Sequence, residues 1–235
     1  MPLIFDPVYL LFIGPGLLLS MWASSRVKST FKKYSQVGVS SGMTGAQAAA
    51  AVCRAGGAHD VTIERVGGFL SDHYDPRSKT LRLSPDVYDG RSASSVAVGA
   101  HEAGHAIQDA VAYPWLTFRS AIVPAVQFGN AFYIWPIMLG LFMQQSPLGG
   151  TLFLVGIGLL AITVLFQLVT LPVEFDASSR AKAVLIEAGI TRTEAEKSGV
   201  DKVLDAAALT YVAGAITSLL TLAYFVMRFM GTQDD

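Results

Sequence analysis

The residues best suited to chemistry are His101, Glu102 and His105, in the segment His-Glu-Ala-Gly-His, which has the form H-E-x-x-H. On an α-helix, residues four apart return to nearly the same face one turn along, so two imidazoles can grip one Zn²⁺ together. A carboxylate beside them, here Glu102, can take a proton from a water that the metal activates. A structural zinc site is a poor alternative, because such sites favour four Cys or His ligands. The chain offers one cysteine, Cys53, and two other histidines, His59 and His73, neither spaced for ligation. A hydrolytic zinc site needs a third protein ligand and an open position for water.

The segment from Ser92 to Ala112 is expected to form the helix that carries these residues, with Pro114 just beyond it. Thr44 should start an earlier alanine-rich helix that runs through Ala55 and ends at Gly56-Gly57. Between them, Val61 to Val66 and the stretch from Phe69 to Ser84 read as strands, with Asp75-Pro76-Arg77-Ser78 as a hairpin turn. An exposed edge of that hairpin is a candidate docking strand for a substrate peptide. Cys53 reads as a small buried apolar residue and agrees with a reducing compartment.

Composition sets the surroundings. The chain has 235 residues, 52% of them hydrophobic and only 15% charged, which exceeds the apolar content of an average soluble domain. The surplus lies in uncharged runs, Pro7 to Ser25, Ser120 to Val173 and Ala206 to Met227. A bilayer core of about 30 Å needs about 20 apolar residues of helix. The first and last runs suit one span each and the middle run two, reversing at Gln144 to Gly150. Of the 17 Lys and Arg residues, all but Arg228 fall within Arg26 to Arg119 or Arg180 to Lys202. The positive-inside rule therefore places both segments in the cytoplasm and both termini outside. The first run is read as a retained anchor, since basic residues follow it and none precede it.

The third ligand is expected from the segment that follows the third span. Glu174 comes just after Leu171-Pro172, at the surface expected to hold the histidine helix. Pro172 suits the first turn of a helix over Glu174 to Ala188. Favourable charge at that helix N-terminus would be a sufficient account of Glu174 if the histidines were absent. Asp176 is the rival ligand, or a group that orients one. Tyr211, at the start of the fourth span, is the candidate donor to a developing oxyanion, although tyrosines at span ends also form interfacial belts. Arg180 is a weaker alternative for that donor.

Together, Leu171 to Ala181 (Leu-Pro-Val-Glu-Phe-Asp-Ala-Ser-Ser-Arg-Ala), His101 to Gln108 (His-Glu-Ala-Gly-His-Ala-Ile-Gln) and Ala208 to Ala213 (Ala-Leu-Thr-Tyr-Val-Ala) resemble the YugP-like membrane zinc metallopeptidases of bacteria. More distantly they are similar to the HtpX and CAAX prenyl protease type peptidases, which carry a Glu ligand in an E-x-x-x-D helix. Ser178 stands where that wider group has Asp, which leaves the orienting role open to Asp176 or another group. The resemblance implies proteolysis, with Glu174 as the third ligand.

The expected protein is mainly α, a polytopic membrane protein with about four transmembrane helices and a small cytoplasmic α+β zincin-like domain carrying H-E-x-x-H. Its expected segments are an anchor over 1–25, a cytoplasmic region over 26–119, two spans over 120–173, a cytoplasmic helix over 174–205, and a fourth span and tail over 206–235. The expected activity is zinc-dependent endopeptidase action on membrane or membrane-adjacent polypeptides, at the inner (plasma) membrane with the site facing the cytoplasm. Metal ligands would be His101, His105 and Glu174, and catalytic groups Glu102 and Tyr211. The lipid bilayer and a polypeptide substrate are the expected partners; a homo-oligomer is compatible with Gly156 and Gly158, and no nucleic-acid partner is expected. A non-proteolytic zinc-binding scaffold or chaperone-like partner is the competing reading. A transporter is disfavoured, because the expected spans contain no Asp, Glu, Lys, Arg or His.

Overall fold

A computed structural model of the chain describes residues 6–68 and 71–231. Residues 1–5 of the expected anchor, Phe69 and Leu70 of the expected strand region, and residues 232–235 of the expected tail lie outside it. The elements in order are α1 (Pro7–Tyr34), α2 (Gly45–Ala55), β1 (Thr62–Arg65), β2 (His73–Asp75), β3 (Thr80–Leu83), α3 (Pro85–Tyr88), α4 (Ala93–Ala110), α5 (Pro114–Phe132), α6 (Ile134–Phe142), α7 (Pro147–Glu187) and α8 (Glu194–Gly231). They form two compact units.

The first unit comprises the described parts of Met1–Trp22, Phe118–Leu171 and Thr210–Asp235. Among the described residues, four helical stretches, Pro7–Tyr34, Pro114–Phe142, Pro147–Glu187 and Glu194–Gly231, are long and apolar enough to cross a membrane. Within this unit Leu11, Leu18, Met21, Trp135 and Phe142 are 65–88% exposed, an apolar surface of a kind that water-soluble domains keep small and lipid accommodates. Small residues bring its helices together. A Cβ on Gly156 would lie 2.4 Å from Ile137 Cγ1 and 2.9 Å from Tyr133 O, so this glycine packs α7 within the chain, whereas Gly158 meets nothing within 4 Å.

The second unit comprises Ala23–Thr117 and Pro172–Leu209. Its core is built from α2, α4, β3 and the flanking portions of α1, α7 and α8, with Val52, Leu81, Leu83, Val87, Val96 and Leu185 fully buried. Alanine dominates the facing sides of α2 and α4, at Ala48, Ala49, Ala97, Ala100 and Ala103. Such short side chains let backbones approach closely. Thr44 caps α2 in a reciprocal pair with Gln47, which satisfies two donors at the helix start. Ser92 caps α4 by accepting from the Ser95 amide. Among the described residues the sheet has three strands in the order β1-β3-β2. The hairpin expected around Asp75 pairs β2 with β3 antiparallel, while β1 joins β3 in parallel, leaving β1 and β2 as edges.

Two helix boundaries differ from the sequence-based expectation. No helix starts at Pro172: α7 runs unbroken through it, from the apolar stretch into the second unit. Proline lacks an N–H and fits a first turn, which is why its local signal suggested a start; here the helix is continued across the missing bond. Glu174 therefore sits far inside a helix, and charge at a helix N-terminus does not account for it. The expected fourth span is likewise continuous with the preceding segment, as α8.

The crossing of α4 and α7 is set by glycine. A Cβ on Gly104 would lie 2.4 Å from the Ala177 carbonyl oxygen and 3.0 Å from its carbon, so only a glycine permits this spacing. Glu196 ties the start of α8 to the rest of the unit. Its buried carboxylate accepts from the amides of Ser40 (2.9 Å) and Arg192 (2.7 Å). Burial alone would raise its pKa, but these backbone donors outweigh it and bring it from 4.5 down to about 2.

Gly104→Ala should destabilise the protein by about 1–3 kcal/mol through overpacking, with a matching fall in melting temperature in detergent. Gly158→Ala, where no atom lies in the way, should leave it unchanged or raise it, and equal losses for both would contradict the packing account. For Glu196 the folded-state pKa is depressed, so its stabilisation is present above pH 4.5 and fades as pH falls toward about 2. The melting temperatures of wild type and Glu196→Gln should accordingly differ by several degrees at neutral pH and converge across that acidic window.

Candidate metal centre

Every group in this site comes from two helices of the second unit. On α4, His101, His105 and Gln108 follow at intervals of four and three and share one face. On α7, Glu174 and Ser178 are four apart and share the opposing face. The glycine contact between Gly104 and Ala177 lies among these residues, so the two faces meet at close range. His101 meets both Ser178 and Glu174, His105 meets Glu174, and Gln108 reaches Val173, so the two helices run in opposite senses here.

Ligand atoms of His101, His105 and Glu174 all lie within 4.8 Å of one another, and all three residues are buried. Glu174 Oε2 is 3.2 Å from His101 Nε2 and 3.4 Å from His105 Nε2. The imidazole rings stand nearly perpendicular, at 80°, with centroids 4.8 Å apart. A tetrahedral zinc site with bonds of about 2.0–2.1 Å has ligand-to-ligand edges of about 3.3–3.4 Å, close to the two separations found here. Two imidazoles and a carboxylate are also the chemistry of a three-ligand zinc site that keeps a position open. This buried group could hold a metal ion.

Burial works against the charged form of His105, but the hydrogen bond and negative charge of Glu174 outweigh it, aided by the Glu102 charge and the Gln108 hydrogen bond. The net effect raises the affinity of His105 for a proton. Glu102 is buried beside the histidines on the same helix.

Two orienting residues were not assigned a role from sequence. Ser178 Oγ lies 3.1 Å from His101 Nδ1, and Gln108 Oε1 lies 3.0 Å from His105 Nδ1. Asp176, weighed as a rival ligand, is not in the ligand group; it accepts from Gln108 Nε2 at 2.8 Å and from Arg180 Nε at 2.5 Å. Arg180 also lies over the Tyr113 ring, 5.6 Å from its centroid, so its guanidinium is engaged on two sides. The sequence signs of Gln108 were its place at the end of the family-like segment His101 to Gln108 and its position three residues after His105, on the same helix face. Tyr211 is not among the groups that the second unit brings together, since it belongs to the portion of α8 in the first unit. Neither His59 nor His73 joins the cluster; His73 Nδ1 lies 2.9 Å from Ser71 O.

Comparison with known proteins agrees with this geometry. Residues 9–230 match the model of a family described as "Putative neutral zinc metallopeptidase". The chain is also 47% identical over 219 residues to the "Putative membrane protease YugP" of Bacillus subtilis (strain 168), covering 92% of this chain and 94% of that protein. No solved structure matches it. With nearly its whole length aligned and a buried His, His and Glu group of zinc-ligand type, the chain belongs to this metallopeptidase family.

Proposed function

We propose that the chain is a zinc-dependent endopeptidase that cleaves membrane or membrane-adjacent polypeptides. The observation that carries this reading is the buried convergence of His101, His105 and Glu174 on one point. His101 and His105, through Nε2, and Glu174, through Oε2, would hold Zn²⁺. A bound Zn²⁺ supplies the Lewis acidity that makes water a competent nucleophile near neutral pH. Glu102 would take the proton from the attacking water as it adds to the substrate carbonyl, and would return it to the departing amine. Tyr211 is assigned as the donor to the developing oxyanion, on the strength of a phenol at the start of the apolar part of α8.

The basic residues Arg26, Lys28, Lys32 and Lys33, which follow the first apolar run, support a cytoplasmic site by the positive-inside rule. Four helices long and apolar enough to cross support multi-pass insertion in the plasma membrane, and the same rule supports both termini outside. Either edge strand, β1 or β2, could receive an extended peptide as an added strand, which suits substrates of varied sequence.

Purified wild type should hold one zinc per chain and cleave an unfolded or a membrane-inserted polypeptide, and chelation should abolish cleavage until zinc is restored. Glu102→Gln should keep its zinc while cleavage falls by about 10²–10⁴-fold. Retained cleavage would remove Glu102 as the base, and zinc-loaded wild type with no turnover on any substrate would instead favour a scaffold. For Tyr211→Phe the expected result is a fall in kcat of about 10²-fold with KM little changed, and an unaltered kcat would exclude the phenol.

A further inference from the structure

Gln108 is completely buried, and each polar atom of its amide has a partner. Nε2 lies 2.8 Å from the Val173 carbonyl oxygen and 2.8 Å from Asp176 Oδ2, and Oε1 lies 3.0 Å from His105 Nδ1. The first two partners, a carbonyl and a carboxylate, can only accept. The NH₂ must therefore face them, which leaves the amide oxygen, an obligate acceptor, facing His105. A proton is then required on Nδ1, which leaves Nε2, 3.4 Å from Glu174 Oε2, as the nitrogen whose lone pair becomes available to a metal once its own proton is lost. Ser178 on His101 has no comparable discrimination, because a hydroxyl can donate or accept.

From this we infer that Gln108 is a positioning residue that fixes the ring orientation and tautomer of His105 for metal, and that Asp176 contributes through Gln108. The inference rests on the zinc site proposed above. The amide is held by α7 on two points, one on the backbone and one on a side chain that Arg180 in turn holds. One glutamine thus links the ligand on α4 to the helix that supplies Glu174. Residues that orient ligating histidines typically change metal affinity by about 10–100-fold when lost.

The test uses full-length protein in detergent with ¹⁵N-labelled histidine. Gln108→Met preserves volume and removes both hydrogen-bonding functions; Gln108→Ala serves as a second variant. Each should weaken zinc affinity, measured against a competing chelator, by about 10–100-fold. Each should also shift the His105 Nδ1–H resonance and expose its proton to exchange, in the metal-free as well as the zinc-loaded protein. Asp176→Ala should weaken zinc binding less than Gln108→Met, and adding it to Gln108→Met should cause little further loss, since groups acting through one chain of contacts are not additive. Wild-type zinc affinity with an unmoved Nδ1–H resonance in Gln108→Met would overturn the inference, as would additive losses in the double variant. Failure of wild type itself to bind zinc would count against the proposed metal site, while the metal-free spectrum would still decide the role of Gln108. A merely structural Gln108 would lower the melting temperature and leave the resonance in place.

Discussion

The site depends on a backbone-to-backbone contact. Gly104 places α4 against the Ala177 carbonyl of α7, closer than any side chain would allow. At that separation a glutamate, whose side chain is short, spans the gap and sets one oxygen 3.2 and 3.4 Å from two imidazole nitrogens. Widening the crossing by the width of a methyl group would draw Glu174 away from both histidines together. Gly104, between the His101–Glu102 pair and His105, is thus as much a part of the geometry as the ligands are.

Around this contact, small side chains and neutral hydrogen-bonding groups do most of the positioning. Ala100, Ala103, Ala177 and Ala181 are fully buried and leave the helices little space to shift. Ser178 and Gln108, both uncharged, occupy the outer nitrogens of the histidines. Asp176, which touches Gln108, is paired with Arg180, so these two charges neutralise each other. An uncharged partner perturbs the donor strength of an imidazole less than a carboxylate would, so orientation is the larger effect of these contacts.

How much of this was legible in the sequence varies with how local the signal is. His101, Glu102 and His105 lie within one turn and a half of one helix, so periodicity alone brings them to one face. The apolar runs likewise announced the four helices long and apolar enough to cross a membrane, and Thr44 and Gly56 marked the ends of α2. Glu174 needed the family resemblance as well, because nothing local distinguishes a ligand from a capping charge. Pro172 misled, since its preference for a first helical turn is a local rule and the continuity of α7 is decided by its surroundings. Gln108 and Ser178 acquire roles only from the register of two helices whose residues are 65 and 77 positions apart in sequence. The parallel pairing of β1 with β3 was unreadable for the same reason.

A single measurement addresses the account at its centre: anomalous diffraction at the zinc absorption edge from crystals of the zinc-loaded protein. The account predicts one strong peak per chain within bonding distance of His101 Nε2, His105 Nε2 and a Glu174 carboxylate oxygen. A stoichiometric zinc found elsewhere, or held by the histidines with Glu174 turned away, would contradict it.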